Sequence, residues 1–192
     1  MDAPLTLACA LAVEEKVARK AGARAARVGL GARMPLPEGP LVSFGFAGSL
    51  DPRLGPGTLV TARKVVDVSG ATLWEGEPLA VAGAEPVVIC AATEVSDGRA
   101  RETVASSSGA GAVDLESGTL ARSGRLVGVV RAISDSADRP LGRLATAARA
   151  DGSTDYRAVV LAFVRQPVTS VRVALAARRA IGGLRRAAEA LR

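Results

Sequence analysis

Apolar residues come along this chain in short runs set between polar or Gly/Pro-rich breaks. LTLACALAV (5–13), AARV (25–28), LVSFGFAG (41–48), LVTARKVV (59–66), ATLWEGEPLAV (71–81), PVVICAAT (86–93) and LVGVVRAISD (126–135) are short and rich in Val, which predicts strands. LVGVVRAISD is the strongest of them. Helical spacing follows the first run in EEKVARKAGARA, fills GRARETVASSSG (98–109), and takes over in the second half of AGAVDLESGTLARSG (110–124). From Arg157 to the end the spacing is again helical, with a break at Pro167. Gly29-Leu30-Gly31, MPLPEGP and LDPRLGPG read as connectors, because Pro and Gly fix turn geometry. Strands alternating with helices, without repeats or low-complexity linkers, predict an α/β fold: a single-domain αβα sandwich with a mixed, largely parallel central sheet. Residues 1–156 form its expected core. Residues 157–192 form a basic amphipathic helical segment packed on the same domain.

Composition refines this picture. A chain of 192 residues with 48% hydrophobic residues can bury a core without staples. With one Trp, one Tyr and three Phe, that core must be built from Ala, Val and Leu. The absence of His removes Ser–His–Asp triads and His-ligated metals, so chemistry must run on carboxylates, backbone amides and Arg. No metal site is expected. Cys9 and Cys90 lie within apolar runs and read as buried, reduced thiols. No cationic leader and no run of eighteen uncharged apolar residues stand out, so a cytoplasmic location is expected.

The formal charge of +6 is mostly Arg. No aromatic residues are interleaved with it, so nucleic acid is not an expected partner. The tail from 157 holds eight Arg among Val, Leu and Ala. It reads either as a helix covering the sheet and showing Arg to solvent, or as a helix lying on the inner face of a membrane.

Polar residues at strand ends are where an open α/β sheet places its site. Four segments qualify: Glu14; Gly45-Phe46-Ala47-Gly48; Asp114-Leu115-Glu116-Ser117; and Ser134-Asp135. Singly, Glu14 reads as an acid at a helix N-terminus, the glycines as a turn, and Asp135 as an N-cap. Together and in order, SFGFAGSLDPRLGPGTLV, AVDLESGTLA and VVRAISDSAD resemble three signatures of the nucleoside phosphorylase and nucleosidase superfamily. SFGFAGSLDPRLGPG and the tail RAVVLAFVRQPVTSVRVALAARRA resemble most the hopanoid-associated phosphorylases, which act on adenosylhopane.

The resemblance implies cleavage of the N-glycosidic bond of an adenine nucleoside, lipid-linked in the hopanoid branch. Asp135 would be the acid that protonates the purine as it leaves, oriented by Ser134. Glu116 would accept hydrogen bonds from the ribose hydroxyls, with Leu115 against the sugar face. Glu14 would act on a water as in the nucleosidase branch, while Gly45, Phe46, Ala47 and Gly48 would form a loop approaching sugar or phosphate. Inorganic phosphate is the expected co-substrate, with no other cofactor, and a homo-oligomer is implied. The purine pocket would lie near Thr93 to Ser96, and Arg27, Arg33 and Arg131 are candidates for holding phosphate. The chain departs from the family in CALAVEE, which has no glycine, in Phe46, in Leu115 where Met is usual, and in a shortened ARMPLPEG. Phosphorolysis, hydrolysis by a methylthioadenosine/S-adenosylhomocysteine type of nucleosidase, and a catalytically silent nucleoside-binding homologue all stay open.

Overall fold

The computed structural model describes residues 4–93, 98–135, 148–165 and 167–192. The chain begins with β1 (Thr6–Cys9), α1 (Ala12–Lys20) and β2 (Ala25–Arg27), followed by a 3-10 turn (Leu30–Ala32). Then come β3 (Leu41–Ser49), β4 (Leu59–Val66), β5 (Thr72–Glu75) and β6 (Ala84–Ala91). The second half holds α2 (Gly98–Ser108), β7 (Ala112–Asp114), α3 (Ser117–Arg122), β8 (Leu126–Asp135), α4 (Tyr156–Arg165) and α5 (Pro167–Ala190). The α/β reading therefore holds, with shorter elements in two places. The first apolar run splits after Cys9, because Glu14 reaches back to the Leu11 N–H and starts a helix at Ala12. ATLWEGEPLAV keeps a strand only to Glu75, since Gly76 and Pro78 cannot sustain a ladder. The 3-10 turn was not foreseen.

The sheet is mixed and largely parallel. β1 pairs in parallel with β2 and β3, β3 with β8, β4 with β6, and β6 with β7. The antiparallel pairs are β3 with β7, β4 with β5, and β4 with β8. Following the ladders from β3 through β8, β4, β6 and β7 leads back to β3, so these strands close a ring. β8 runs alongside nearly all of β3, which sets Arg131 opposite Gly45 and Asp135 opposite Gly48.

Three layers follow from which side chains each helix covers. Val42, Phe44, Val130 and Ala132 pack one face against Ala18 of α1 and Ala180, Leu184, Ala187 and Ala188 of α5. Val60, Ala62, Ile89, Val129 and Ile133 pack the other with Leu120 of α3. A smaller cluster joins Val66, Cys90 and Val113, with Val104 of α2 against it. The many alanines let helices approach the sheet closely, which suits a chain with few aromatics. Cys9 and Cys90 are both free and buried, and burial pushes the Cys90 thiol up to about 11. Among the described residues no helix is long and apolar enough to cross a membrane.

Candidate active site

The parallel strands β1, β3 and β8 end at one edge of the sheet, and two polar clusters gather there. The first is centred on Arg131, fully buried on β8. Short β7 runs back against the end of β3 and delivers Asp114 and Glu116 to this guanidinium. Nε of Arg131 donates to Asp114 Oδ2 at 2.8 Å, and Nη2 is ion-paired with the same oxygen at 2.6 Å. Nη2 donates to Ser43 Oγ at 2.6 Å and to Glu116 Oε2 at 3.3 Å. Ser117 donates its N–H to Asp114 Oδ1 at 3.0 Å and its hydroxyl to Asp114 Oδ2, which fixes that carboxylate from the N-terminus of α3. Glu116 Oε1 accepts the Gly31 N–H at 3.0 Å, so the unforeseen 3-10 turn is tied to the site.

Glu14 completes this cluster from the first turn of α1. It is buried, and its two oxygens accept the Leu11 N–H at 2.8 Å and the Phe46 N–H at 2.7 Å. Gly45 is required here, because a Cβ on that residue would overlap the Glu14 carboxylate. Glu14 thus caps the helix and also faces the same polar cluster, so the capping role does not exclude the second reading of the sequence.

The electrostatics of the cluster are unbalanced. Glu14, Asp114 and Glu116 surround a single buried cation, and burying an unpaired carboxylate is costly. Burial raises the Glu14 pKa to about 7; Arg131 holds it down, Glu116 pushes it up, and the two backbone N–H groups lower it. Burial likewise raises Glu116, with Arg131 opposing and Asp114 assisting. For Arg131 itself burial works against the charge, and Asp114, Glu116 and Glu14 overcome it, so its pKa rises. Glu14 is therefore poised between its protonated and ionised forms near neutrality, and as it ionises the cluster carries more negative than positive charge.

The second cluster lies four residues further along β8, about 13 Å at a strand's rise per residue. Asp135 is buried, and its Oδ1 accepts the Ser134 hydroxyl at 2.7 Å. Ser134 Oγ also reaches the Ala47 carbonyl at 3.3 Å. Asp135 Oδ2 accepts Nη2 of Arg101, a buried arginine on α2. That guanidinium lies over Gly48, where a Cβ would approach Arg101 Nη2 to 3.1 Å. The sequence assigned nothing to Arg101, nor a role to Ser43 or Asp114.

The structure thus brings Glu14, Glu116, Gly45 and Phe46 to one cluster, and Ala47, Gly48, Ser134 and Asp135 to the other. Leu115 is half-buried between β7 and α3, with its carbonyl beside Gly31. Of the candidate phosphate residues, Arg33 is exposed, Arg27 is half-buried at the end of β2, and Arg131 is already engaged by carboxylates. Thr93 is exposed, and the rest of the expected purine pocket, 94–96, lies outside the described residues. Among the described residues no group of His, Cys, Asp and Glu could hold a metal ion.

No family model matches the chain, and no curated protein matches it. Solved structures do. The 5′-methylthioadenosine/S-adenosylhomocysteine nucleosidase of Helicobacter pylori superposes with a TM-score of 0.63 at 13% identity, over 100% of this chain and 97% of that one. The futalosine hydrolase of the same organism gives 0.61 at 13% identity, over 98% and 95%. The corresponding Streptococcus pneumoniae nucleosidase, solved with a transition-state inhibitor, gives 0.54 at 14% identity, over 93% and 100%. The fold is that of the nucleoside phosphorylases and nucleosidases.

Proposed function

We propose that this chain hydrolyses the N-glycosidic bond of an adenine nucleoside. The observation that carries the reading is the excess of buried carboxyls over cations around Arg131. Breaking a purine–ribose bond leaves positive charge on the sugar, and a site with surplus negative charge stabilises that transition state. The same surplus disfavours phosphate, whose charge would have to sit beside Glu14 and Glu116. This favours water over phosphate as the nucleophile, against the co-substrate that the sequence suggested.

In this reading the nucleoside spans the two clusters. Glu14, with a pKa about 7, takes a proton from water as its oxygen bonds to C1′ of the ribose. The C1′–N9 electron pair leaves with the purine, and Asp135 delivers a proton to N7. For that step Arg101 gives up Asp135 Oδ2, the freed carboxylate takes up from solvent the proton that it then delivers, and the base takes the place of Arg101 over Gly48. Glu116 holds the ribose hydroxyls. A lipid-linked nucleoside such as adenosylhopane, and pairing of subunits around the site, belong to the same reading.

The test is adenine release, followed by chromatography, from soluble adenine nucleosides and from adenosylhopane, with and without phosphate. Release without phosphate is expected. Release only with phosphate would replace hydrolysis by phosphorolysis, and silence on every substrate would leave a binding protein. Asp135→Asn should lower turnover by about 10²–10⁴-fold, the usual worth of a general acid, with adenine still bound in calorimetry. Unchanged turnover would remove Asp135 from the reaction.

A further inference from the structure

The reaction above makes no use of the outer face of α5. At 3.6 residues per turn, Val171, Arg172, Leu175, Arg178, Arg179, Arg185 and Arg186 fall within an arc of about 140°. The opposite side carries Ala180, Leu184 and Ala187, which are buried against the sheet. On the outer arc Val171 and Leu175 are more than half exposed, at 52% and 56%, and Leu161 of α4 is also exposed. Glu189 is the only acid from 157 to the end, and it pairs with Arg185. Five of the eight Arg of this segment lie on this arc, against a formal charge of +6 for the whole chain, so much of the basic character resides on this face. Beside it lies a cavity of about 190 Å³, lined by Ser134, Thr169, Arg172, Val173, Leu175 and Arg179. Neither Arg172 nor Arg179 makes an ion pair with a described residue.

We propose that the outer face of α5 docks on an anionic lipid bilayer, with the cavity between Arg172 and Arg179 receiving a headgroup phosphate. Three features select this occupant. Aliphatic side chains separate the arginines, as an acyl boundary requires, whereas a nucleic acid would be met by aromatic stacking. A second copy of the same face would set arginine against arginine, because a two-fold interface is self-complementary. Among the described residues no helix is long and apolar enough to cross a membrane, so a charged helix such as α5 would lie on the surface. The proposal concerns binding alone and does not rest on the hydrolytic reading.

Flotation of the full chain with phosphatidylcholine vesicles, with and without phosphatidylglycerol, tests it. Binding is expected only to the anionic vesicles, and should fall as salt rises. A basic residue near an anionic surface is worth about a fivefold factor in partition, so R172E/R179E should lose about 25-fold or more. R63E/R99E, the same charge change on exposed residues of β4 and α2, should bind far better than R172E/R179E. Leu175→Asp should weaken binding with no loss of basic residues. Absence of anionic-vesicle binding, or equal loss in both double variants, would overturn the proposal. So would tighter binding to single-stranded RNA than to vesicles, or a halved mass of Leu175→Asp in light scattering, which would mark a subunit interface.

Discussion

Glu14→Gln is expected to lower turnover by about 10²–10⁴-fold while nucleoside binding persists, since an amide cannot take a proton from water. Wild-type kcat/KM should rise with pH through about 7, as Glu14 loses its proton, and the variant's residual activity should lack that step. Stability should move the other way. The folded pKa of Glu14 is raised from 4.5 to about 7, so the native state binds this proton more tightly than the unfolded chain does. The stabilisation from that proton is fully present below about 4.5 and is lost as pH rises through about 7. The loss is of order 3 kcal/mol from this group. Denaturant melts at pH 5 and pH 8 should therefore differ more for wild type than for Glu14→Gln, which cannot titrate. One cost attends the variant at every pH: its side-chain amide offers a single acceptor oxygen, where the Glu14 carboxylate serves both Leu11 and Phe46. Equal pH dependence in the two proteins would mean that the proton is held elsewhere in the cluster, with Glu116 next in line.

The parts of this molecule that sequence could disclose are those written in local patterns. The β-branched run of β8 and its closing Ser134-Asp135 announce a strand with polar residues at its end, and the structure has both. Gly45 and Gly48 were legible as places where something must come close, but not what: a carboxylate at one, a guanidinium at the other. Arg101 could not be read, because it sits on a polar helix 34 residues from its partner and belongs to no motif. Ring closure was equally hidden, for it depends on β7 meeting the end of β3 through only two residue pairs. Ser43 did leave a signal. A hydroxyl among the apolar residues that open a buried strand must find a partner, and it finds Arg131.

Arg131 also illustrates how sequence can name a residue without disclosing its partners. One of three candidates for holding phosphate, it pairs with Asp114 of β7 and Glu116 of the loop that follows, and the charge of Glu14 on α1 also favours its own. Arg131→Met should destabilise the fold by about 3–5 kcal/mol at neutral pH, the usual cost of removing one partner from a buried ion pair. The side chain is nearly as long, so packing is largely kept and the loss reports charge. Asp114 would then keep the bonds from Ser117, and Glu116 those from the Gly31 and Leu115 backbone. Lowering the pH supplies protons to the stranded carboxyls, so the gap between Arg131→Met and wild type should narrow from pH 8 to pH 5. Arg131→Lys keeps the charge and loses the fork that reaches Asp114, Ser43 and Glu116 together, so it should fall between the two. Chemical denaturation across this pH range decides the matter. A constant gap would mean that Arg131 acts by shape rather than by charge, and the surplus of negative charge that favours hydrolysis would lose its physical basis.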